Sequence, residues 1–270
     1  MQRRQLLRLS GAGVLSTPMI LRHARAASPG GVPPDRVSLD RVSLDREPVD
    51  VELILAVDVS RSIDAEEHEA QMRGYASAFR DPEVIRSIAG GGIGAIACTL
   101  FTWSDVDAQE NLVPWTRIDG AAAAERFAAA LDAAPRRTGS YTSISGAMEH
   151  ALRLYEGGGY EGTRRVLDIS GDGMNNAGRR LEPVRARMLD EGIVMNGLAV
   201  LDRAPLPGGT SALEDYYRDE VIGGPGAFLV VAEGFEAFDR AVRRKISREI
   251  AGLAQAPRFA NLPQVDRVAA

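Results

Sequence analysis

The sequence has little cysteine or histidine, and it lacks the common motifs of hydrolases and nucleotide-binding proteins. Cys98 is the only cysteine, so no intramolecular disulfide can form, and its place in an apolar run predicts a buried side chain. No Gly-x-Ser-x-Gly, His-Glu-x-x-His or Gly-x-x-x-x-Gly-Lys-Ser/Thr motif occurs, which argues against the usual hydrolase and nucleotide-binding classes. His68 and His150 show no metal-ligand spacing, and we interpret both as helix-surface residues.

The N-terminal residues have the pattern of an export signal. Residues 1–26 carry five arginines and no acidic residue, with an Arg3-Arg4 pair, an apolar stretch over 11–21 and the small-residue run Ala24-Arg25-Ala26. This pattern predicts a twin-arginine-like signal over residues 1–27 and a periplasmic or secreted protein. A basic N-terminus of a cytoplasmic protein and a retained N-terminal anchor are the alternatives. The apolar stretch is too short for a membrane span, so we expect none in the mature chain.

Charge and composition divide the rest of the chain. Removal of the signal takes the formal net charge from −5 to −10, which disfavours nucleic acid and anionic membranes as partners. Residues 28–49 are rich in Pro, Gly and charge and contain a short tandem repeat, so they are predicted to be a disordered linker. We place one folded domain at residues 50–255 and a C-terminal tail at 256–270.

Buried strands alternate with amphipathic helices along that domain. Apolar runs at 51–58 and 93–103 are typical of strands buried on both faces, and Asp64 is suited to cap a helix that ends near Arg80. Residues 109–115 contain Pro114, which favours an edge strand. The alternation predicts an α/β fold: a doubly wound, mostly parallel central sheet with helices on both faces and one short antiparallel edge strand.

Three oxygen-rich segments follow predicted strands or precede a predicted helix. The first segment, Asp58-Val-Ser60-Arg-Ser62, places side-chain oxygens at alternate positions after a buried strand. The second, Gly139 to Thr142, precedes a predicted helix and contains Thr142, and the third, Gly171 to Asn176, follows a predicted strand and contains Asp172. Hydroxyl and carboxylate oxygens are ligands for hard divalent cations, and functional loops gather at the carboxyl ends of parallel strands. The set Asp58, Ser60, Ser62, Thr142 and Asp172 is therefore a candidate site for one divalent cation.

These residues resemble the metal-ion-dependent adhesion site of the von Willebrand factor A family, with its Asp-x-Ser-x-Ser, threonine and aspartate-glycine segments. The resemblance covers about residues 51–253, and it is closest to a group of exported bacterial members of unassigned function. It implies a Rossmann-like fold and direct coordination of Mg²⁺, or of Mn²⁺ or Ca²⁺, by Ser60 and Ser62. It further implies that Thr142 coordinates the cation directly or through water. Asp58 and Asp172 would mostly contact the coordinating groups and not the cation itself.

The predicted function is metal-dependent protein binding. A cation held mainly by neutral hydroxyls keeps its positive charge and an open position for an Asp or Glu carboxylate of a partner protein. We expect no enzymatic activity and no organic cofactor. One alternative is a metal-assisted hydrolase with Asp105 or Asp168 as the base, and another is a von Willebrand factor A scaffold that binds partners through other faces.

Overall fold

A seven-stranded sheet forms the centre of the protein. The computed structural model describes residues 46–201, 210–251 and 264–269, so the predicted export signal and most of the predicted linker lie outside the described residues. The strands are β1 (Glu47–Asp58), β2 (Ile96–Trp103), β3 (Gln109–Ile118), β4 (Tyr160–Gly171), β5 (Ile193–Leu201), β6 (Phe228–Glu233) and β7 (Gln264–Val268). Their order in the sheet is β3-β2-β1-β4-β5-β6-β7. Only β3 is antiparallel to its neighbour, which confirms the predicted edge strand.

Helices cover both faces of the sheet. They are α1 (Ala65–Arg80), α2 (Pro82–Ala89), α3 (Ala121–Asp132), α4 (Ile144–Gly157), α5 (Leu181–Asp190), α6 (Ala212–Tyr216) and α7 (Phe238–Ala251). One face packs against α1, α2, α3 and α7, and the other against α4, α5 and a π-helical turn, Tyr217–Val221. The predicted doubly wound fold is confirmed. Within the described ranges, no helix combines the length and apolarity needed to cross a bilayer.

Alternation along β1 explains why its sequence is apolar from Leu53 to Val57. Leu53 and Leu55 face the first helical layer, whereas Ile54 and Ala56 face the second. Successive side chains of a strand point to opposite faces, so apolar residues on both faces of this stretch pack against the two helical layers. The buried acids of the same strand, Asp50 and Glu52, accept backbone N–H groups instead. Cys98 is buried in β2, as predicted.

The helix that follows β1 begins where its capping sequence predicts. Asp64 accepts hydrogen bonds from the backbone N–H groups of Glu66 and Glu67, and the Glu67 side chain accepts one from the Asp64 N–H. This capping box satisfies N–H groups that have no partner within the helix. The start of α1 thereby defines the end of the loop that follows β1.

Several elements differ from the sequence prediction. The second strand begins at Ile96 because the Asp50 carboxylate accepts the N–H groups of Ile93 and Gly94 and holds them in a loop. Residues 47–49 of the predicted linker belong to β1, and residues 264–268 of the predicted tail form β7. The helices α2 and α6 were not predicted.

A buried ionic group fastens α7 to the sheet. The Lys245 ammonium lies 2.6 Å from Asp168 Oδ1 in β4 and 2.7 Å from Glu249 Oε1, with all three side chains inaccessible to solvent. Asn196 of β5 donates to the same Glu249 oxygen. Burial raises the pKa of Asp168 to about 7, an effect that the positive charge of Lys245 opposes. The group is buried and internally paired, which is what low-dielectric surroundings require.

Candidate metal centre

The three predicted segments meet at the carboxyl ends of the parallel strands. β1 is paired with β2 on one side and with β4 on the other. The order of the strands in the sheet therefore reverses between β1 and β4. In open parallel sheets, the crevice at the carboxyl ends of such strands is where ligands bind. Asp58 ends β1, and Asp172 follows β4 directly.

Hydroxyl and carboxylate oxygens of the first and third segments are in direct contact. Ser60 Oγ lies 3.2 Å from Ser62 Oγ, and the Ser62 hydroxyl donates to Asp172 Oδ1 at 2.9 Å. Asp58 is fully buried behind them, and its Oδ1 accepts the backbone N–H of Ser60 at 2.8 Å. The site therefore runs from a buried carboxylate to an exposed serine hydroxyl.

Thr142 lies against the segment that carries Asp172. Its backbone N–H donates to Asn176 Oδ1 at 2.9 Å, and its carbonyl accepts the Asn176 N–H at 2.9 Å. A side chain at Gly173 would place its Cβ 3.1 Å from Thr142 Oγ1. Glycine at 173 thus allows the two segments to approach this closely.

The electrostatics of the site favour a cation. The pKa of Asp58 is raised to about 8, mainly by burial and also by the charge of Asp172, against the lowering effect of the hydrogen bond from Ser60. Asp58 Oδ2 is buried without a hydrogen-bond partner among the described residues. A buried carboxylate is costly unless it is protonated or compensated by positive charge, and a divalent cation would supply that charge.

The donor set fits an octahedral cation. Neighbouring ligands at Mg²⁺ to oxygen distances of about 2.1 Å are separated by about 3 Å. The separations of 3.2 Å and 2.9 Å between Ser60, Ser62 and Asp172 match that spacing. In the described part of the chain, no three His, Cys, Asp or Glu side chains gather as a metal cage. The groups in position to hold a cation here are the hydroxyls of Ser60 and Ser62 and the Asp172 carboxylate.

Tyr217 is a site residue that the sequence did not reveal. Its hydroxyl is buried without a hydrogen-bond partner in the described structure. A Cβ at Gly171 would lie 2.8 Å from that hydroxyl and 2.9 Å from Asp58 Oδ2, so both oxygens border the same glycine. Tyr217 starts a π-helical turn, a feature often found at functional sites. No local pattern links such a turn to an aspartate at the end of β1.

Two further side chains hold the threonine segment in place. Asn175 Oδ1 accepts the N–H of Ser145 at the start of α4, and Asp105 Oδ2 accepts the N–H of Ser140 at 2.9 Å. Both side chains satisfy backbone groups near Thr142.

The predicted surface position of His68 was wrong. This histidine is buried in α1, and burial together with the charge of Arg136 lowers its pKa. It shares one face of α1 with the buried residues Gln71, Met72 and Tyr75, which follow it by three, four and seven positions, so it turns inward with them.

Comparison with known proteins agrees with this architecture. The structure is similar to proximal thread matrix protein 1 from the mussel byssus, with TM-score 0.56, 13% identity, and coverage of 77% of this chain and 49% of that chain. It is also similar to the von Willebrand factor domain of the type V pili tip protein Mfa5 from Porphyromonas gingivalis, with TM-score 0.52, 9% identity, and coverage of 78% and 98%. The mussel protein has also been solved with a zinc-occupied MIDAS motif, at TM-score 0.51, 14% identity and coverage of 77% and 47%.

The chain spans about half the length of the mussel protein. No curated protein matches it in sequence. These similarities confirm the predicted von Willebrand factor A-type fold. Residues 48–254 match the family described as a protein of unknown function, DUF1194. The chain therefore belongs to this uncharacterised family and has a von Willebrand factor A-type fold.

Proposed function

We propose that the protein is an exported module that binds a partner protein through one divalent cation, with Mg²⁺ as the first choice and Mn²⁺ or Ca²⁺ as alternatives. Ser60, Ser62 and Thr142 would contribute hydroxyl oxygens, and Asp58 and Asp172 would compensate the charge. The observation that carries the proposal is the spacing of Ser60 Oγ, Ser62 Oγ and Asp172 Oδ1, at 3.2 Å and 2.9 Å. When bound, the cation would supply a positively charged position that accepts a carboxylate.

The openness of the site supports a protein ligand. Ser62 is exposed, whereas Asp58 is fully buried, so a cation between them would face solvent on the serine side. An Asp or Glu side chain of a partner protein can reach such a position. Two of the similar structures belong to a byssus matrix protein and a pilus tip protein, and we take this as support for a role in binding other proteins.

The two bases nominated for a hydrolase already have partners within the protein. Asp105 accepts the backbone N–H of Ser140, and Asp168 is buried beside Lys245 on the α7 side of the sheet. A general base must lie within hydrogen-bond reach of the water that it activates. This placement favours binding over hydrolysis, and we propose that the protein is not an enzyme.

The organisation of the chain completes the proposal. Residues 1–27 would direct export to the periplasm or the exterior, residues 28–49 would act mainly as a linker, and residues 50–255 would form the binding domain. Segment 256–270 would follow it and add β7 to the sheet edge. The acidic mature chain is suited to cation binding and not to nucleic acid.

A thermal melt with Mg²⁺, Mn²⁺ or chelator tests the cation site. Binding to the folded state alone raises the melting temperature by linkage, so we expect a higher midpoint with metal and no metal effect in Asp172→Ala. Asp107→Ala, which removes a nearby exposed acid, is the matched control and should keep the metal effect. Equal midpoints with metal and with chelator in the unaltered protein would reject the metal site.

Affinity capture from cell-envelope extract tests the partner. We expect captured protein to be released by chelator and to be absent with Asp172→Ala. Capture that withstands chelator would favour the scaffold alternative, in which other faces bind. Turnover of ester or phosphoester substrates that depends on Asp172 would favour the hydrolase.

A further inference from the structure

Exposed apolar side chains collect beside the candidate metal centre. Val106, Tyr141 and Met174 are 42%, 57% and 40% exposed, and the other large apolar side chain of comparable exposure in the described ranges is Ile93. Ile93 precedes β2, and its backbone N–H donates to Asp50 in the first part of β1, so it lies at the opposite end of these strands from the candidate metal centre. We call Val106, Tyr141 and Ala177, which line one surface cavity, the rim patch.

The rim patch is continuous with the site. Tyr141 precedes Thr142 in the chain, and Ala177 is five residues from Asp172. A surface cavity of about 650 Å³ is lined by Asp105, Val106, Asp107, Ala108, Tyr141, Asn176 and Ala177. Asn176 also holds the Thr142 backbone, so one side chain belongs both to the cavity wall and to the support of a candidate ligand.

The loops that carry the rim patch are held in place. The carbonyl of Val106 accepts a hydrogen bond from the Gln109 side chain at 2.9 Å, and Ser104 of the same turn accepts the Ser143 N–H at 2.7 Å through its carbonyl. Large side chains exposed on ordered loops leave apolar surface in water, which is typical of interaction sites. A surface that is already ordered also loses less conformational entropy when a partner binds.

We propose that the rim patch receives a large apolar side chain of the partner, within about three residues of the coordinating Asp or Glu. This inference rests on the proposed function, and it adds the chemistry of the partner segment. The cavity volume lies within the roughly 300–1,000 Å³ of ordinary ligand sites. Asp105 and Asp107 line the same cavity, so a second acidic residue next to the apolar side chain is disfavoured by charge repulsion. The partner segment therefore has one acidic residue for the cation and a neighbouring Leu, Met or aromatic residue for the rim patch.

Selection from a displayed library of short peptides that share a central Asp tests this inference. Peptides are captured on the protein in Mn²⁺ and eluted with chelator. We expect enrichment of Leu, Met and aromatic residues within three positions of the Asp, and depletion of further acidic residues. Chelator-eluted peptides without an apolar preference would overturn the inference and leave the proposed function intact. Recovery of no chelator-dependent peptide would overturn both.

Variants connect the selected peptides to the rim patch. Tyr141→Ser and Val106→Ser should each weaken binding of a selected peptide by about tenfold or more, as expected for a central interface contact, and should keep the Mn²⁺-dependent rise in melting temperature. Ile93→Ser removes an apolar side chain of similar exposure at the opposite end of the strands. It should leave peptide affinity unchanged. Equal affinity of all three variants and the unaltered protein would overturn the inference. Dimerisation that Tyr141→Ser abolishes would overturn it in favour of a second copy on the rim patch.

Discussion

The buried carboxyl group of Asp58 should make the stability of the metal-free protein fall as pH rises. Its pKa is about 8 in the folded state, against an ordinary value of 3.8. Between these values the folded state binds the proton more tightly than the unfolded state, so the free energy of unfolding decreases with increasing pH. Each pH unit in that window costs about 1.4 kcal/mol, which corresponds to a fall of roughly 3–5 °C in melting temperature for a domain of this size.

Asp58→Asn isolates this effect. Asparagine keeps an acceptor for the Ser60 N–H and removes the titration, so other titrating groups cancel in the difference between the two proteins. In chelator, the melting temperature of the unaltered protein minus that of Asp58→Asn should fall by roughly 3–5 °C per unit between about pH 5 and pH 7. A difference that is flat or rises with pH would refute the reasoning.

Cation binding should show the reverse dependence on pH. A cation competes with the proton on Asp58, so metal affinity should rise about tenfold between pH 6 and pH 7, below the pKa of about 8. Titration calorimetry with Mn²⁺ at these pH values measures the change. A metal affinity that is independent of pH would show that Asp58 is already ionised without metal.

Three other perturbations test the packing around the site and the sheet. Gly171→Ala would place a methyl group 2.9 Å from Asp58 Oδ2 and 2.8 Å from the Tyr217 hydroxyl, so we expect a loss of about 1–3 kcal/mol of stability and weaker Mn²⁺ binding by calorimetry. Lys245→Met would leave two buried carboxylates uncompensated and should lower the free energy of unfolding in guanidinium by about 3–5 kcal/mol. Removal of residues 264–270 would uncover the apolar edge of β6, and light scattering should detect increased aggregation.

Matched variants distinguish these effects from general damage. Gly157→Ala introduces a methyl group with no neighbour within 4 Å, and it should leave Mn²⁺ binding unchanged. Arg73→Met removes a solvent-exposed ion pair with Glu69, and it should cost less than about 1 kcal/mol. If Lys245→Met costs no more than Arg73→Met, the buried group does not anchor α7. If the truncated chain scatters light no more than the full chain, β7 is not needed to protect the edge of β6.

Local sequence patterns predicted most of the fold because the order of apolar and polar residues follows which side of each strand or helix is buried. β1 is apolar from Leu53 to Val57 since both of its faces are covered there, and β3 contains Pro114 since it lies at an edge. Asp64, predicted as the helix cap, likewise located the start of α1. The β7 segment, Gln-Val-Asp-Arg-Val, is mostly polar and carries little strand signal. It becomes a strand because the edge of β6 offers it backbone partners.

The sequence by itself determined that three oxygen-rich segments lie at the same edge of a parallel sheet, because strand polarity and chain order require it. Only the tertiary structure decided that Ser60, Ser62 and Asp172 come within hydrogen-bond distance. It also decided that Asp58 is cut off from solvent, that Tyr217 lies beside it, and that Tyr141 faces outward. These features depend on contacts between residues far apart in the chain, and periodicity reports only which side of an element is buried.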